Sequence, residues 1–187
     1  MTSNINSELI QFTSRPAWFK FRGKAMIFVG SLVALLSVLS PDVYIMGESA
    51  SWIPVISIVV LIVGVFRCID ALAADTAQGF LYNIHGGVLD IVVGFLVVLS
   101  TDGEANNLNL LIVGYMLTQG IYRNILLSVA KISNPLSNRI TGIISIILGI
   151  MIWIDWPTSM WFIAFSLSVD ISFRGWALVV LSSSINK

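Results

Sequence analysis

The sequence predicts an all-α membrane protein whose six transmembrane helices form three hairpin repeats of common orientation. Three observations carry that expectation. Of 187 residues, 57% are hydrophobic and 11% charged, against about 25% charged in an ordinary soluble domain, so polar side chains are too few to cover a globule in water. The apolar residues fall in six long blocks, the mark of lipid-facing helices. Two further sequence features recur three times each, in register.

The blocks run over 24–40, 52–74, 80–100, 107–130, 138–155 and 158–182. A span needs roughly 20 residues, so six use about 120 positions and leave room for short loops. The connectors Ser40-Pro41-Asp42, Asp102-Gly103-Glu104, Ser133-Asn134-Pro135 and Asp155-Trp156-Pro157 are rich in turn formers, which makes successive blocks antiparallel. Ahead of them lies a cytoplasmic N-terminal segment, 1–23, polar at first and then alternating bases with aromatics from Arg15 to Lys24. That mixture suits the headgroup region. The transmembrane domain is 24–187, with hairpins at about 24–74, 80–130 and 138–182. A cleaved signal peptide is the other reading of the first block; Pro41 after the likeliest cleavage point and the repeat argue against it.

Orientation follows from the bases. Arg15, Lys20, Arg22 and Lys24, then Arg67, then Arg123, Lys131 and Arg139, then Arg174 and Lys187 all fall at one side. The opposite loops hold Asp42, Glu48, Asp102, Glu104 and Asp155 and no base. Both termini are therefore expected in the cytoplasm. Trp52, Trp153, Trp156 and Trp161 then sit at the outer boundary, Trp18 and Trp176 at the inner one.

The odd blocks share a glycine pair seven residues apart: Gly23 and Gly30, Gly87 and Gly94, Gly142 and Gly149. Two helical turns put both glycines on one face, where small residues let helices approach closely in lipid. The even blocks share an aromatic–arginine pair: Phe66-Arg67, Tyr122-Arg123 and Phe173-Arg174. Each repeat is thus a glycine-faced helix going out and an arginine-bearing helix returning. An even number of helices per unit gives the repeats one orientation, about an axis along the membrane normal.

The pattern resembles the HdeD family of small six-helix bacterial membrane proteins named for acid resistance. The resemblance covers about residues 20–185 and is carried by Gly87–Gly94, Leu110–Asn124 and Thr141–Gly149. The first hairpin departs most, with a longer loop and Pro54 in the helix that follows. The resemblance implies a stress-tolerance protein of the bacterial inner membrane and supplies no catalytic motif.

Ionisable residues inside apolar blocks carry the chemistry, because a charge in lipid is costly. They are Arg67, Asp70, Asp90, Arg123, Asp170, Arg174 and His85. The three arginines align by repeat; snorkelling to the inner headgroups is the favoured reading, an anion-binding ring the functional one. The aspartates do not repeat: Asp90 aligns with Met26 and Ser145, Asp170 with Val63 and Gln119. Asp90 and Asp170 therefore suit a proton relay or coupled transporter, or else packing residues neutralised locally. Arg67 with Asp70, and Asp170 with Arg174, stand at helix-neighbour spacing. In the middle hairpin, comparable depths predict an Asp90–Arg123 ion pair. His85 is an interfacial hydrogen-bonder or a sensor of cytoplasmic pH.

Cys68 and His85 are each alone of their kind, so neither a disulfide nor a multi-thiolate or multi-histidine metal site is expected, and no cofactor. Zero net charge suggests no nucleic-acid partner. No phosphate loop, His-Glu-x-x-His or Gly-x-Ser-x-Gly motif is present, so no enzymatic activity is expected. Three functions stay open: an HdeD-like stress protein, a small transporter or proton pathway, and a structural subunit with a membrane-protein partner or a second copy of itself. Topology is directly testable. Cytoplasmic reporters should be active at both termini and a periplasmic reporter after Gly103; a C-terminal fusion active only outside the cell would overturn the six-span arrangement.

Overall fold

A computed structural model describes residues 16–40, 43–45, 48–74, 77–99, 105–129, 135–156 and 158–185. The segment 1–15, the acids Asp42, Asp102 and Glu104, and the bases Lys131 and Lys187 lie outside the described residues. Among the described residues six helices carry the fold: α1 Pro16–Leu39, α2 Ile53–Leu72, α3 Ala77–Leu99, α4 Ala105–Val129, α5 Pro135–Ile154 and α6 Met160–Ile185. Between α1 and α2, strands β1 (Val43–Ile45) and β2 (Glu48–Ala50) pair antiparallel, Val43 opposite Ala50. The fold is all-helical as expected, and this ribbon is a short addition in the connector between α1 and α2.

The first helix starts at Pro16, well before the apolar block, because proline is well placed in an opening turn. The basic and aromatic stretch expected as a surface segment therefore forms the first turns of α1. Five helices are long and apolar enough to cross a membrane: Ala17–Leu39, Ile53–Leu72, Gly79–Leu99, Leu136–Ile154 and Met160–Ser183. The described part of α4 is long but more polar, with Asn109, Tyr115, Gln119 and Arg123 along it.

The closest helix pairs are α1 with α6, α2 with α3, and α4 with α5. They are not the three expected hairpins. Each arginine-bearing helix lies along the glycine-bearing helix of another expected hairpin, while α5 with α6 and α3 with α4 keep a looser contact. Glycine explains the choice. A Cβ at Gly94 would stand 2.9 Å from the Leu61 amide nitrogen and 3.0 Å from the Ser57 carbonyl. At Gly23 it would stand 2.7 Å from the Gly175 carbonyl, and at Gly142 3.0 Å from the Gly120 carbonyl. These seams are backbone against backbone, which only hydrogen-sized side chains permit. Gly30 on α1 likewise faces the Ser168 carbonyl of α6, and Gly87 on α3 faces Cys68 of α2.

The interior divides along the bundle axis. Toward the end remote from the start of α1, the core is apolar, with Ile56, Ile112, Met116, Ile152 and Ile163 fully buried. Serines there turn inward onto their own helices: Ser57 Oγ donates to the Ile53 carbonyl at 2.6 Å and Ser37 Oγ to the Ala34 carbonyl at 2.9 Å. From mid-bundle toward the other end the core is ionic, holding Arg22, Arg67, Asp70, Asp90, Arg123, Asp170 and Arg174, all buried.

The seams make a graded prediction. Gly94→Leu should lower stability by about 1–3 kcal/mol, the usual cost of overpacking. Gly149→Leu should cost less, because Gly149 meets the adaptable side chains of Met116 and Leu117, at 3.2 and 3.3 Å. Thermal melts in detergent read both, and a Gly94→Leu midpoint equal to the parent's would rule out the α2–α3 seam.

Candidate functional site

Asp90 lies on α3 at the centre of the bundle, with no solvent exposure. An ionised carboxylate there needs several donors, and four neighbouring side chains from three helices supply them. Arg67 Nη1 from α2 donates to Oδ2 at 2.9 Å. Arg174 Nη1 from α6 donates to Oδ1 at 2.9 Å. From α4, the Tyr115 hydroxyl donates to Oδ1 at 2.6 Å and Gln119 Nε2 at 3.1 Å. Gln119 Nε2 also reaches the Gly86 carbonyl at 3.3 Å.

Arg174 carries the network onward. Its Nη2 pairs with Asp170, one turn away on α6, and donates to the Tyr115 hydroxyl at 2.9 Å. Its guanidinium carbon sits 5.5 Å from the Tyr115 ring centre, a cation–π contact. Asp170 accepts from Ser145 Oγ on α5 and faces Arg123 Nη1 at 3.6 Å. Arg123 also lies 3.4 Å from Ser145 Oγ. The result is an alternating chain, Arg67–Asp90–Arg174–Asp170–Arg123, with three cations against two anions. A separate pair, Arg22 with Asp70, joins α1 to α2.

Beside the chain lies a cavity with about 40 Å³ of room for water, where about 10–15 Å³ admits one molecule. Arg22, Arg67, Arg123 and Arg174 line it with Tyr82, Asn83, Asn138 and Thr141. Three donors of the lining arginines, Arg22 Nε, Arg123 Nη2 and Arg174 Nε, are buried without a hydrogen-bond partner.

Several expectations are corrected here. The arginines do not snorkel: Arg67, Arg123 and Arg174 are 7%, 2% and 8% exposed, because carboxylates inside the bundle offer a closer counter-charge than the headgroups. Asp90 does not pair with Arg123. Similar depth is not enough, since Arg123 projects toward α5 and α6, where Ser145 and Asp170 receive it, and Arg67 and Arg174 take Asp90. Asp70 is held by Arg22 from another helix and not by Arg67 in its own. The i,i+4 pair of Asp170 and Arg174 does form.

His85 stands apart from this chain. Its ring stacks on Tyr122 with centres 3.7 Å apart, and its Nε2 has no hydrogen-bond partner. Among the described residues no group of three or more His, Cys, Asp or Glu stands together as a metal site would require. Sequence reasoning left Arg22, Tyr115, Gln119, Ser145 and Gly86 out of the cluster. Gly86 belongs to it because a Cβ there would overlap the Arg67 guanidinium. For Ser145 and Gln119 the signal was present, since they occupy the positions that align with Asp90 and Asp170.

Fold and site together define a multi-pass helical membrane protein with a buried ionic core. No family model matches the chain, and no curated protein or solved structure matches it either.

The network predicts which charges are coupled. Asp90→Asn leaves Arg67 without a carboxylate and Arg174 with Asp170 alone, at a cost on the order of 3–5 kcal/mol, and Arg174→Gln leaves each aspartate one arginine, at a smaller cost. The double variant should cost less than the sum, with a coupling of about 1–3 kcal/mol. The same cycle on Asp90 and Arg123 should give a smaller coupling. Detergent stability measures both, and equal couplings would contradict the connectivity.

Proposed function

We propose that the chain is a small transporter of the bacterial cytoplasmic membrane, with six spans, both termini inside, and the Arg–Asp network as its solute pathway. The observation that carries this reading is the cavity lined by four arginines that opens beside the fully buried Asp90. A fold needing only stability gains little from buried ions, since apolar replacements often serve as well or better. Intramembrane ionisable groups that face a cavity suit solute and proton pathways.

Two more observations support a route. Asn109 on α4 and Ser166 on α6 are fully buried with side-chain atoms lacking partners. Ser166 is one turn from Asp170 and continues that polar face away from the network. Beyond it the layer of Ile56, Ile112, Ile152 and Ile163 is closed, with Asn109 on the far side of Ile112. In this reading the bundle is open to the cytoplasm and sealed outward.

The sixth span is α4. At 25 residues and about 1.5 Å each it exceeds a hydrocarbon core of about 30 Å. Its polar residues Asn109, Tyr115, Gln119 and Arg123 all point inward, while Leu110, Ile121 and Ile125 are exposed, so its low average hydropathy does not describe its lipid face. The three-repeat reading draws support from matching seams: Gly30, Gly94 and Gly149 meet Ser168, Leu61 and Leu117, which are equivalent positions six residues before the three arginines. A setting in stress or acid tolerance rests on the HdeD resemblance alone.

Reconstitution tests the transport reading. Proteoliposomes should dissipate an imposed proton or small-anion gradient faster than empty vesicles, and Asp90→Asn or Arg174→Gln should slow this at least about tenfold, the effect of about 1.4 kcal/mol on a barrier. Parent vesicles as tight as empty ones to both kinds of gradient would end it.

A further inference from the structure

We infer that the arginine-lined cavity is a binding site for a small monoanion, held by the free donors of Arg123 and Arg174. Charge gives the first argument. Among the described residues Arg67, Arg123 and Arg174 pair with Asp90 and Asp170, and Arg22 is matched by Asp70. One positive charge is left over inside the bundle. An uncompensated buried charge is costly, and a single bound negative charge removes the excess.

The donors give the second argument. Arg123 Nη2 and Arg174 Nε carry N–H groups that are buried with nothing to accept them. A guanidinium stays charged and accepts no hydrogen bonds, so these groups call for an acceptor beside the two lining arginines. Water meets that need but leaves the charge; an anion meets both. The lining repeats the point. Among the described residues it holds four arginines and no carboxylate, with Asn83, Asn138 and Thr141 as neutral polar groups. A cation has no place there.

Size sets the class. Room of about 40 Å³ suits an ion of a few atoms, such as chloride or nitrate, and the planar guanidinium fork matches a planar oxyanion. A lipid phosphodiester offers the same single charge from the headgroup side. The inference rests on the transport reading for the anion's role as cargo, and stands apart from it for binding.

The experiment titrates the purified full chain in detergent with chloride or nitrate, replacing gluconate at constant ionic strength, and reads the thermal midpoint. A ligand of the folded state raises the folded-to-unfolded ratio about a hundredfold at about 100 times its Kd. Chloride or nitrate should raise the midpoint where gluconate does not. Arg123→Gln, which deletes the excess charge and one free donor, should flatten the response; the parent titration decides the matter even where that variant fails to fold. A second arm compares nanodiscs with and without phosphatidylglycerol. Stabilisation by the free ions supports an inorganic monoanion, and stabilisation by the lipid alone supports the phosphodiester as its source. A midpoint indifferent to chloride, nitrate and the lipid overturns the site. Anion binding without flux keeps the site and removes the cargo role, whereas proton flux without anion binding keeps transport and overturns the site.

Discussion

The carboxylate of Asp90 is the constraint on which the rest of the bundle depends. It sits with no exposure between apolar helices and draws donors from α2, α4 and α6. Two of the donors are also committed elsewhere: Arg174 to Asp170 and Tyr115, Gln119 to the Gly86 carbonyl. A buried carboxylate without such a shell loses several kcal/mol of hydration uncompensated. Four helices are therefore fixed relative to one side chain.

Two kinds of force share the assembly, and they act in different places. Small-residue seams make the pairs α1–α6, α2–α3 and α4–α5, where the glycines let the helices approach closely. The charge network works mainly between those pairs. Tyr115 and Gln119 bring α4 to α3, Arg174 brings α6 to α3, and Ser145 with Asp170 brings α5 to α6. Lipid gives little hydrophobic drive for helices to associate, so close packing within pairs and polar contacts between them are the forces available.

The sequence was most legible where one physical rule acts alone. Block length marked six spans, five of which are described helices apolar enough to cross a membrane, and the glycine spacing marked the faces at which backbones meet, since both depend on local geometry. Helix neighbours were harder to read, because short connectors imply adjacency without ranking it. The seam at Gly23 joins helices more than a hundred residues apart and is invisible to any local pattern. The charged residues were identifiable by their cost in lipid, yet their partners were not. Depth along the helix placed Asp90 near Arg123, but azimuth decides pairing, and azimuth depends on which helices touch. Arg22 was read as a topology signal because it lies in a basic run; burial against Asp70 gives it a second role. Gly86 was hidden beside Gly87, its use being set by a guanidinium from another helix.

The tight packing of α1 against α6 bears on how the protein is made. The ribosome releases α1 more than a hundred residues before the helix that covers its glycine face. During that interval Gly23 and Gly30 lie open to lipid or to a chaperone, and the contacts available to α1 from its neighbour in sequence include the ion pair of Arg22 with Asp70 and the edge contact of Trp18 with Phe66. Closure of the bundle is then the last event of biogenesis, when α6 arrives with Gly175 and Ser168 for the waiting seam. The same arrival delivers Arg174 to Asp90. Completion of the outer wall and delivery of the second arginine to the central carboxylate are thus a single step, performed by one helix.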